Sequence, residues 1–365
     1  MADIYQLALS KIYGIGPKSA VAIIKSMGSA QALFEESEKN LRLIFKTREK
    51  TVSDILSRRM FDVCEKEMEF MQKYGIKSYF FTDKDYPYRL KDIPDRPICL
   101  FVQGNGDIDS LRTVAVVGSR KCSGYGRDIT ERVIEEIRQL GGTVISGLAY
   151  GVDSIAHTAC LSENVPTFGV LGHGLDRIYP KEHYELAQRM QLNGGLITEY
   201  FTNTTPRPSN FPARNRIIAA LSDLVIVTEA SKTGGALLTA RLANDYNREV
   251  IAIPGRLGDV NSEGCNFLIE TNQAHSVYDI SSVGKLMNWE KSGNNRKEKH
   301  KSGNIPVLSD IEKKIYVYIQ QKGEIDIDSL SVGTGIPVND ISSLLLNMEL
   351  NDAVVSKPGK IYTVK

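Results

Sequence analysis

Val114-Ala115-Val116-Val117-Gly118-Ser119-Arg120 is a short apolar run that ends abruptly in a glycine, a hydroxyl and an arginine. A four-residue run of this kind reads as a strand buried on both faces, and Tyr125 to Leu140 after it has helical spacing. The unit then repeats. Strands are expected at Thr143-Val144-Ile145, from Thr167 to Leu171, at Leu196-Ile197-Thr198, from Leu224 to Val227 and from Val250 to Ile253. Helices are expected between them, from about Asp153 to Ser162, near Glu182 to Leu192, from Arg214 to Leu221 and from Gly235 to Tyr246. Six strands alternating with helices predict an α/β fold with a doubly wound parallel sheet.

Outside this core the pattern changes. Residues 1 to about 82 read as helical, with Leu7, Ile12, Ile15, Ala20, Ile23 and Ile24 spaced around a Gly14-Ile15-Gly16 break. This pattern resembles a helix-hairpin-helix, whose glycines can present N–H groups to a phosphate, or a helical hairpin that only packs. Residues 286–305 are polar and basic, with Arg296-Lys297-Glu298-Lys299-His300-Lys301 at their centre, and read as a flexible linker. Residues 306–365 carry three apolar helical patterns, marked by Ile311, Ile315 and Ile319, by Ile327, Leu330 and Ile336, and by Ile341, Leu344, Leu345 and Met348. A hairpin follows from Val354-Val355 through Lys357-Pro358-Gly359-Lys360 to Ile361-Tyr362-Thr363-Val364. Three helices and a hairpin are the layout of a winged helix. Its third helix, about Val338 to Leu350, has no Lys or Arg and carries Asp340 and Glu349, which predicts a poor reader of base edges.

Composition narrows the function classes. The chain has 365 residues, 42% hydrophobic and 24% charged, with a formal net charge of +1. Any polyanion site must therefore be a local patch. Cys64, Cys99, Cys122, Cys160 and Cys265 are scattered without a C-x-x-C pair, against a zinc site or a disulfide framework. The start of the chain lacks a basic region followed by an apolar run, and no apolar stretch approaches ~20 residues. A cytoplasmic protein without a membrane partner is expected.

Ligands of open α/β sheets bind at the carboxyl ends of the strands. There the chain places Gly118, Ser119, Arg120 and Lys121, then Gly147, then Gly172-His173-Gly174, then Glu229, Lys232, Thr233, Gly234 and Gly235. Phe211-Pro212-Ala213-Arg214-Asn215-Arg216 adds an aromatic ring and two arginines at the start of an apolar helix. Glycine loops with Arg120, Lys121, Arg214, Arg216 and Lys232 form an expected track for several phosphates, which points to a nucleic-acid strand more than to one nucleotide. Arg120, Arg214, Arg216 and Lys232 are expected to hold phosphates. Gly118, Gly147 and Gly234 are expected to offer N–H groups or close approach, and Phe211 to stack on a base. Ser119, Asn215 and Gly235 complete the candidate site.

Other chemistries fit less well. The first loop is not G-x-G-x-x-G, the second strand ends in Ser146-Gly147 where a ribose-binding acid belongs, and no Walker loop or G-x-S-x-G elbow occurs. No cofactor and no catalytic or metal-binding residue is expected. Asp153 and His157 could share a helix face for acid–base work, or serve as a cap and a buried hydrogen-bond partner. Glu199 and Glu229 could be paired carboxylates, or organisers of the basic loops. Tyr179, Tyr200 and Phe201 lie near the loops and read individually as core.

Taken together these motifs resemble the DNA-processing protein A family, DprA or Smf. The matching residues are Tyr86-Pro87 with Leu90, Pro97, Val114–Arg120, Ser146–Asp153 with His157, Gly172 and Gly174 with Tyr179-Pro180, Glu199, Phe211–Ile218, Glu229, Gly234–Ala240, Pro254-Gly255, and Gly264-Cys265-Asn266 with Leu268-Ile269. The resemblance implies a Rossmann-like domain at 83–285, a helix-hairpin-helix or SAM-like domain at 1–82 and a winged helix at 306–365. It implies a non-enzymatic protein that binds single-stranded DNA, protects it during natural transformation, loads a RecA-type recombinase and forms a homodimer through the Rossmann-like domain. The alternative is an enzyme similar to nucleoside-monophosphate phosphoribohydrolases. Their P-G-G-x-G-T loop is here Lys232-Thr233-Gly234-Gly235-Ala236, without the proline.

Overall fold

The computed structural model describes residues 2–291, 309–323, 325–350, 353–357 and 361–364. The chain divides into two compact units, Met1–Asn294 and Asn295–Lys365. In the first unit the strands are β1 (Lys77–Phe80), β2 (Cys99–Gln103), β3 (Thr113–Gly118), β4 (Thr143–Ser146), β5 (Thr167–Val170), β6 (Gly194–Thr198), β7 (Leu224–Glu229), β8 (Glu249–Ala252) and β9 (His275–Ser276). They form one sheet in the order β1-β2-β6-β5-β4-β3-β7-β8-β9. The six expected strands are β3 to β8, and they pair with one another in parallel throughout. β1 and β2 add an antiparallel edge, and β9 adds a short parallel one.

The sheet is covered on both faces because its central strands carry apolar side chains toward both sides. Val114 and Val116 of β3 face one core with Ile129, Val133 and Ile137, while Ala115 and Val117 face the other with Ile217, Ile218 and Leu237. The helix Gly124–Gln139 supplies the first set at helical spacing, and Ser123 caps it by accepting the Gly126 N–H. Chain order reverses at β3: β4, β5 and β6 extend to one side, β7 and β8 to the other. A crevice therefore opens beyond the carboxyl ends of β3 and β7.

The N-terminal span contains the helices Ile4–Lys11, Pro17–Met27, Ala30–Glu35, Glu38–Phe45, Glu49–Ser57 and Met60–Tyr74, and the expected break at Gly14–Gly16 separates the first two. Residues 77–80, expected to be helical, form β1 instead. Gly75 ends the preceding helix in a left-handed conformation, and Ser78 then accepts the Ala2 N–H at 2.8 Å. A further tie comes from Glu67, which accepts from the Thr202 N–H (2.9 Å) and hydroxyl (2.6 Å). The helical region thus shares a core with the sheet.

Residues 286–291, expected in the flexible linker, are packed. The Trp289 N–H donates to the Gly284 carbonyl at 2.7 Å, and Lys291 reaches Glu136 at 2.7 Å. A backbone hydrogen bond and an ion pair hold the chain where the polar, basic composition predicted a flexible linker. The rest of the expected linker, 292–305, lies outside the described residues.

The second unit has the helices Asp310–Lys322, Ile327–Thr334 and Val338–Leu350 and a three-stranded sheet of β10 (Ile325–Asp326), β12 (Ile361–Val364) and β11 (Val354–Lys357) in that order. Ile315, Ile319, Leu330, Ile341, Leu345 and Met348 form its core, whereas Ile311, expected on the buried face, is 54% exposed. On the third helix Glu349 is tied to the Ser356 hydroxyl at 2.6 Å. The tip of the wing, 358–360, lies outside the described residues.

Candidate nucleic-acid interface

A groove of about 690 Å³ lies at the switch point. Nine of the expected site residues line it: Gly118, Ser119, Arg120, Lys121, Phe211, Arg214, Asn215, Gly234 and Gly235. Three elements bring them together. The loop after β3 carries residues 118–121, the helix Asn210–Ala220 carries 211–215, and the turn after β7 opens the helix Gly235–Asp245. That helix starts without a side-chain cap. Its first N–H groups add a partial positive charge at the groove wall.

Arg120 and Lys121 are exposed. The Arg120 guanidinium lies 5.5 Å from the centre of the Phe211 ring, a cation–π distance. Phe211 in turn lies 5.8 Å from Tyr179 at an interplanar angle of 35°. Tyr179 is 48% exposed and lines the groove. A cation and two accessible rings thus share one wall. Tyr179 was legible only as an aromatic near a loop, because nothing in its local sequence says which way the ring turns. Phe201, by contrast, is core and packs edge-on against Phe101.

The two arginines of the 214–216 stretch behave differently from the expectation. Arg214 is 4% exposed. Its Nη1 donates to the Gly147 carbonyl at 2.6 Å and to the Val170 carbonyl, clasping the ends of β4 and β5. Burial lowers its pKa to about 10, and the nearby Asp153 carboxylate opposes that fall, so the charge stays on at neutral pH. Arg214 raises the potential of the groove floor, but its fork is spent on backbone carbonyls. Arg216 does not line the groove. Its Nη2 pairs with Glu199, and Asp95 lies 3.9 Å from its Nε. Both acids sit beside it in the fold and are far from it in sequence.

The glycines also need correction. Gly147 offers neither an N–H nor an approach to a ligand: its N–H donates to Asp153 at 3.1 Å, and a Cβ there would lie 2.5 Å from the Arg214 guanidinium. Gly118 lines the groove, but the space of its missing side chain is filled by Val152, 2.5 Å from a Cβ. Gly234 spends its N–H on the Ser231 carbonyl at 3.0 Å. Lys232 is exposed on the same turn but outside the groove lining. Ser231, Thr239, Val260 and Asn261 line the groove without having been expected. Two further exposed cations flank the lining: Arg207 adjoins Pro208, and Lys181 follows Tyr179 by two positions.

The candidate acids and bases are occupied. Glu229 accepts from the Ser123 N–H (2.8 Å) and hydroxyl (2.5 Å), ordering the start of the Gly124–Gln139 helix. Glu199 and Glu229 end β6 and β7, four strands apart, or roughly 19 Å at usual spacing, too far to act as a pair. Asp153 accepts from the Gly147 and Ala149 N–H groups. Nδ1 of His157 lies 2.7 Å from the Thr167 hydroxyl, and burial lowers its pKa to about 3. Both are internal fasteners. Among the described residues no cluster of three or more His, Cys, Asp or Glu could hold a metal, and all five cysteines are free. No described helix is long and apolar enough to cross a membrane.

The fold defines a class, a Rossmann-like α/β domain followed by a separate winged-helix unit. Residues 77–288 match the family of the DNA recombination-mediator protein A, and residues 301–360 match the DprA winged helix domain. The chain belongs to this DNA-processing family. It is 30% identical to Protein Smf of Synechocystis over 98% of both chains. It is 42% identical to the DNA processing protein DprA of Streptococcus pneumoniae over 53% of this chain and 68% of that one. The X-ray structure of the Streptococcus pneumoniae protein superposes with a TM-score of 0.68 at 33% identity, covering 79% of this chain and 99% of that chain. A structure of DNA processing protein A from Helicobacter pylori, described for its single-stranded DNA binding mode, gives a TM-score of 0.54 at 30% identity over 60% and 98%.

Proposed function

We propose that the groove binds single-stranded DNA without regard to sequence. The observation that carries this reading is the shared wall of Arg120, Phe211 and Tyr179, with cation and ring 5.5 Å apart and ring and ring 5.8 Å apart. Every base has a π-face, so rings bind bases of any identity, and stacking contributes roughly 1–3 kcal/mol per base. Arg120, Lys121 and Lys232 hold phosphates from the rim, and the buried charge of Arg214 adds potential from below. The Helicobacter pylori relative, whose structure concerns single-stranded DNA, supports the same ligand.

The protein binds the strand without turning it over, because the acids at the strand ends are committed to internal bonds. It protects DNA in transformation and hands it to a RecA-type recombinase. It works in the cytoplasm as a homodimer built through the sheet unit, where Leu257 is 94% exposed. The labour divides by region: 83–285 binds the strand, and 306–365 meets a protein partner or modulates that binding.

Fluorescence anisotropy with labelled oligo-dT tests the central reading. The log affinity should fall with log salt at a slope of roughly −0.7 per phosphate contacted. Salt-independent binding, or equal affinity for duplex, overturns it. Recombinase filaments should assemble faster on covered single strands when the protein is added, and no acceleration removes the loading role. Sedimentation should give the mass of two chains. Nucleobase release from nucleoside monophosphates that disappears in Glu229→Gln would replace the binding reading with an enzymatic one.

A further inference from the structure

Tyr150 stands on the loop between β4 and the helix Val152–Ser162 and is 46% exposed, yet it is fixed on several sides. Its hydroxyl donates to Glu182 at 2.8 Å. Its ring meets the His183 ring edge to face, with centroids 5.1 Å apart, and His183 is itself held by the Leu148 carbonyl, 2.9 Å from its Nδ1. The loop is locked from below. Gly151 adopts φ +76°, and a Cβ there would fall 2.2 Å from the Ser119 carbonyl oxygen and 2.6 Å from that of Arg120. The Val152 N–H also donates to the Ser119 carbonyl at 3.1 Å. Tyr150 is therefore anchored to the same backbone that presents Arg120, and Ala149 before it lines the groove. The turn that supplies Glu182 and His183 begins just after Tyr179. The bond to Glu182 also holds the Tyr150 phenol above its usual pKa.

A ring immobilised in the free protein costs little entropy when it binds. We propose that Tyr150 is a further base-stacking residue, which takes a nucleobase beyond the Phe211–Tyr179 pair and so lengthens the binding path toward the end of β5. Glu182 and His183 are its positioning residues. The inference rests on the reading that the groove binds single-stranded DNA.

Two consequences separate it from that reading. Tyr150 acts only on strands long enough to reach past the groove, and it acts through its ring, not its hydroxyl. The experiment uses the full chain with oligo-dT of graded length, from about 4 to about 16 nucleotides, the span of known single-strand site sizes. Tyr150→Ala should bind the shortest oligomers as the unaltered protein does and lose roughly 5- to 150-fold on the longer ones. Tyr150→Phe should keep most of the affinity at every length, since the ring remains and only its bond to Glu182 is lost. A 2-aminopurine walked along the longer oligomer should be quenched at one outer position, with the quenching lost in Tyr150→Ala and kept in Tyr150→Phe. Equal affinities of Tyr150→Ala and the unaltered protein at all lengths overturn the proposal while leaving the groove reading intact, provided Arg120→Ala still weakens binding. A loss in Tyr150→Phe as large as in Tyr150→Ala also overturns it, because the hydroxyl bond would then be the cause. Unaltered protein that binds no oligo-dT brings down the groove reading and this one together.

Discussion

Ser119-Arg120-Lys121 after β3 and Arg214-Asn215-Arg216 before β7 bring similar chemistry to one end of one sheet and use it in opposite ways. The first segment is a loop, and its cations reach solvent beside an aromatic wall. The second lies inside a helix packed on the sheet, where carbonyls and carboxylates consume its guanidiniums. Guanidinium suits phosphate and buried oxygen equally well, because both demand a planar donor fork. What surrounds it selects the role. A loop arginine finds water and ligand; a helix arginine at the edge of a core finds the ends of neighbouring strands.

The contrast breaks most visibly at Arg214. Arg214→Ala should destabilise the sheet unit by about 3–5 kcal/mol, since it leaves Asp153 without its compensating charge and two strand-end carbonyls unpaired. Denaturant unfolding measures this, and a variant as stable as the parent would return Arg214 to the role of a free phosphate contact. Arg120→Ala should do the reverse. Affinity for oligo-dT should fall by about 1.5–3 kcal/mol, with stability unchanged within about 0.5 kcal/mol. A thermal shift without an affinity loss would contradict the division between the two segments.

His157 sharpens the buried side of the comparison. It stays neutral in the folded chain, with its pKa depressed from 6.5 to about 3 by burial. The unfolded chain therefore takes up a proton below about pH 6.5 that the folded chain refuses. Stability is complete above that value and is lost as pH falls toward the folded pKa, by about 1.4 kcal/mol per unit. Unfolding free energies between about pH 6 and about pH 5 should show this slope, and His157→Asn should flatten it. The smallest effect is expected from the winged-helix unit. Deleting residues 306–365 should change single-strand affinity less than tenfold, about 1.4 kcal/mol, because its third helix carries acids and no basic residue. A larger loss in the same anisotropy titration would make that unit part of the binding surface.

Much of the sheet was legible because its signal is local. Four or five apolar residues between turn residues mark a buried strand whatever the rest of the chain does, and β3 to β8 appear where the pattern puts them. β1 escaped because it is an edge strand, and β2, buried and apolar like the others, because it stands outside the strand–helix alternation. β1 is four residues long, alternates exposed and buried, and is separated from the preceding helix only by Gly75 and Ile76. Nine of the candidate site residues converge because strand ends are where such folds bind, a rule that needs only topology.

The burial of each site residue was not legible. Sequence by itself determined the doubly wound sheet, the separate winged helix and the family, since repeated hydrophobic periodicity and ordered motifs are properties of neighbours along the chain. Only the tertiary structure decided that Arg214 faces Gly147 and Val170, that Arg216 finds Glu199, and that Tyr179 turns outward to join Phe211. Those partners lie between 17 and 67 residues apart in the chain. A side chain's role depends on the charges and cavities within a few ångströms of it, and the folded chain alone sets those.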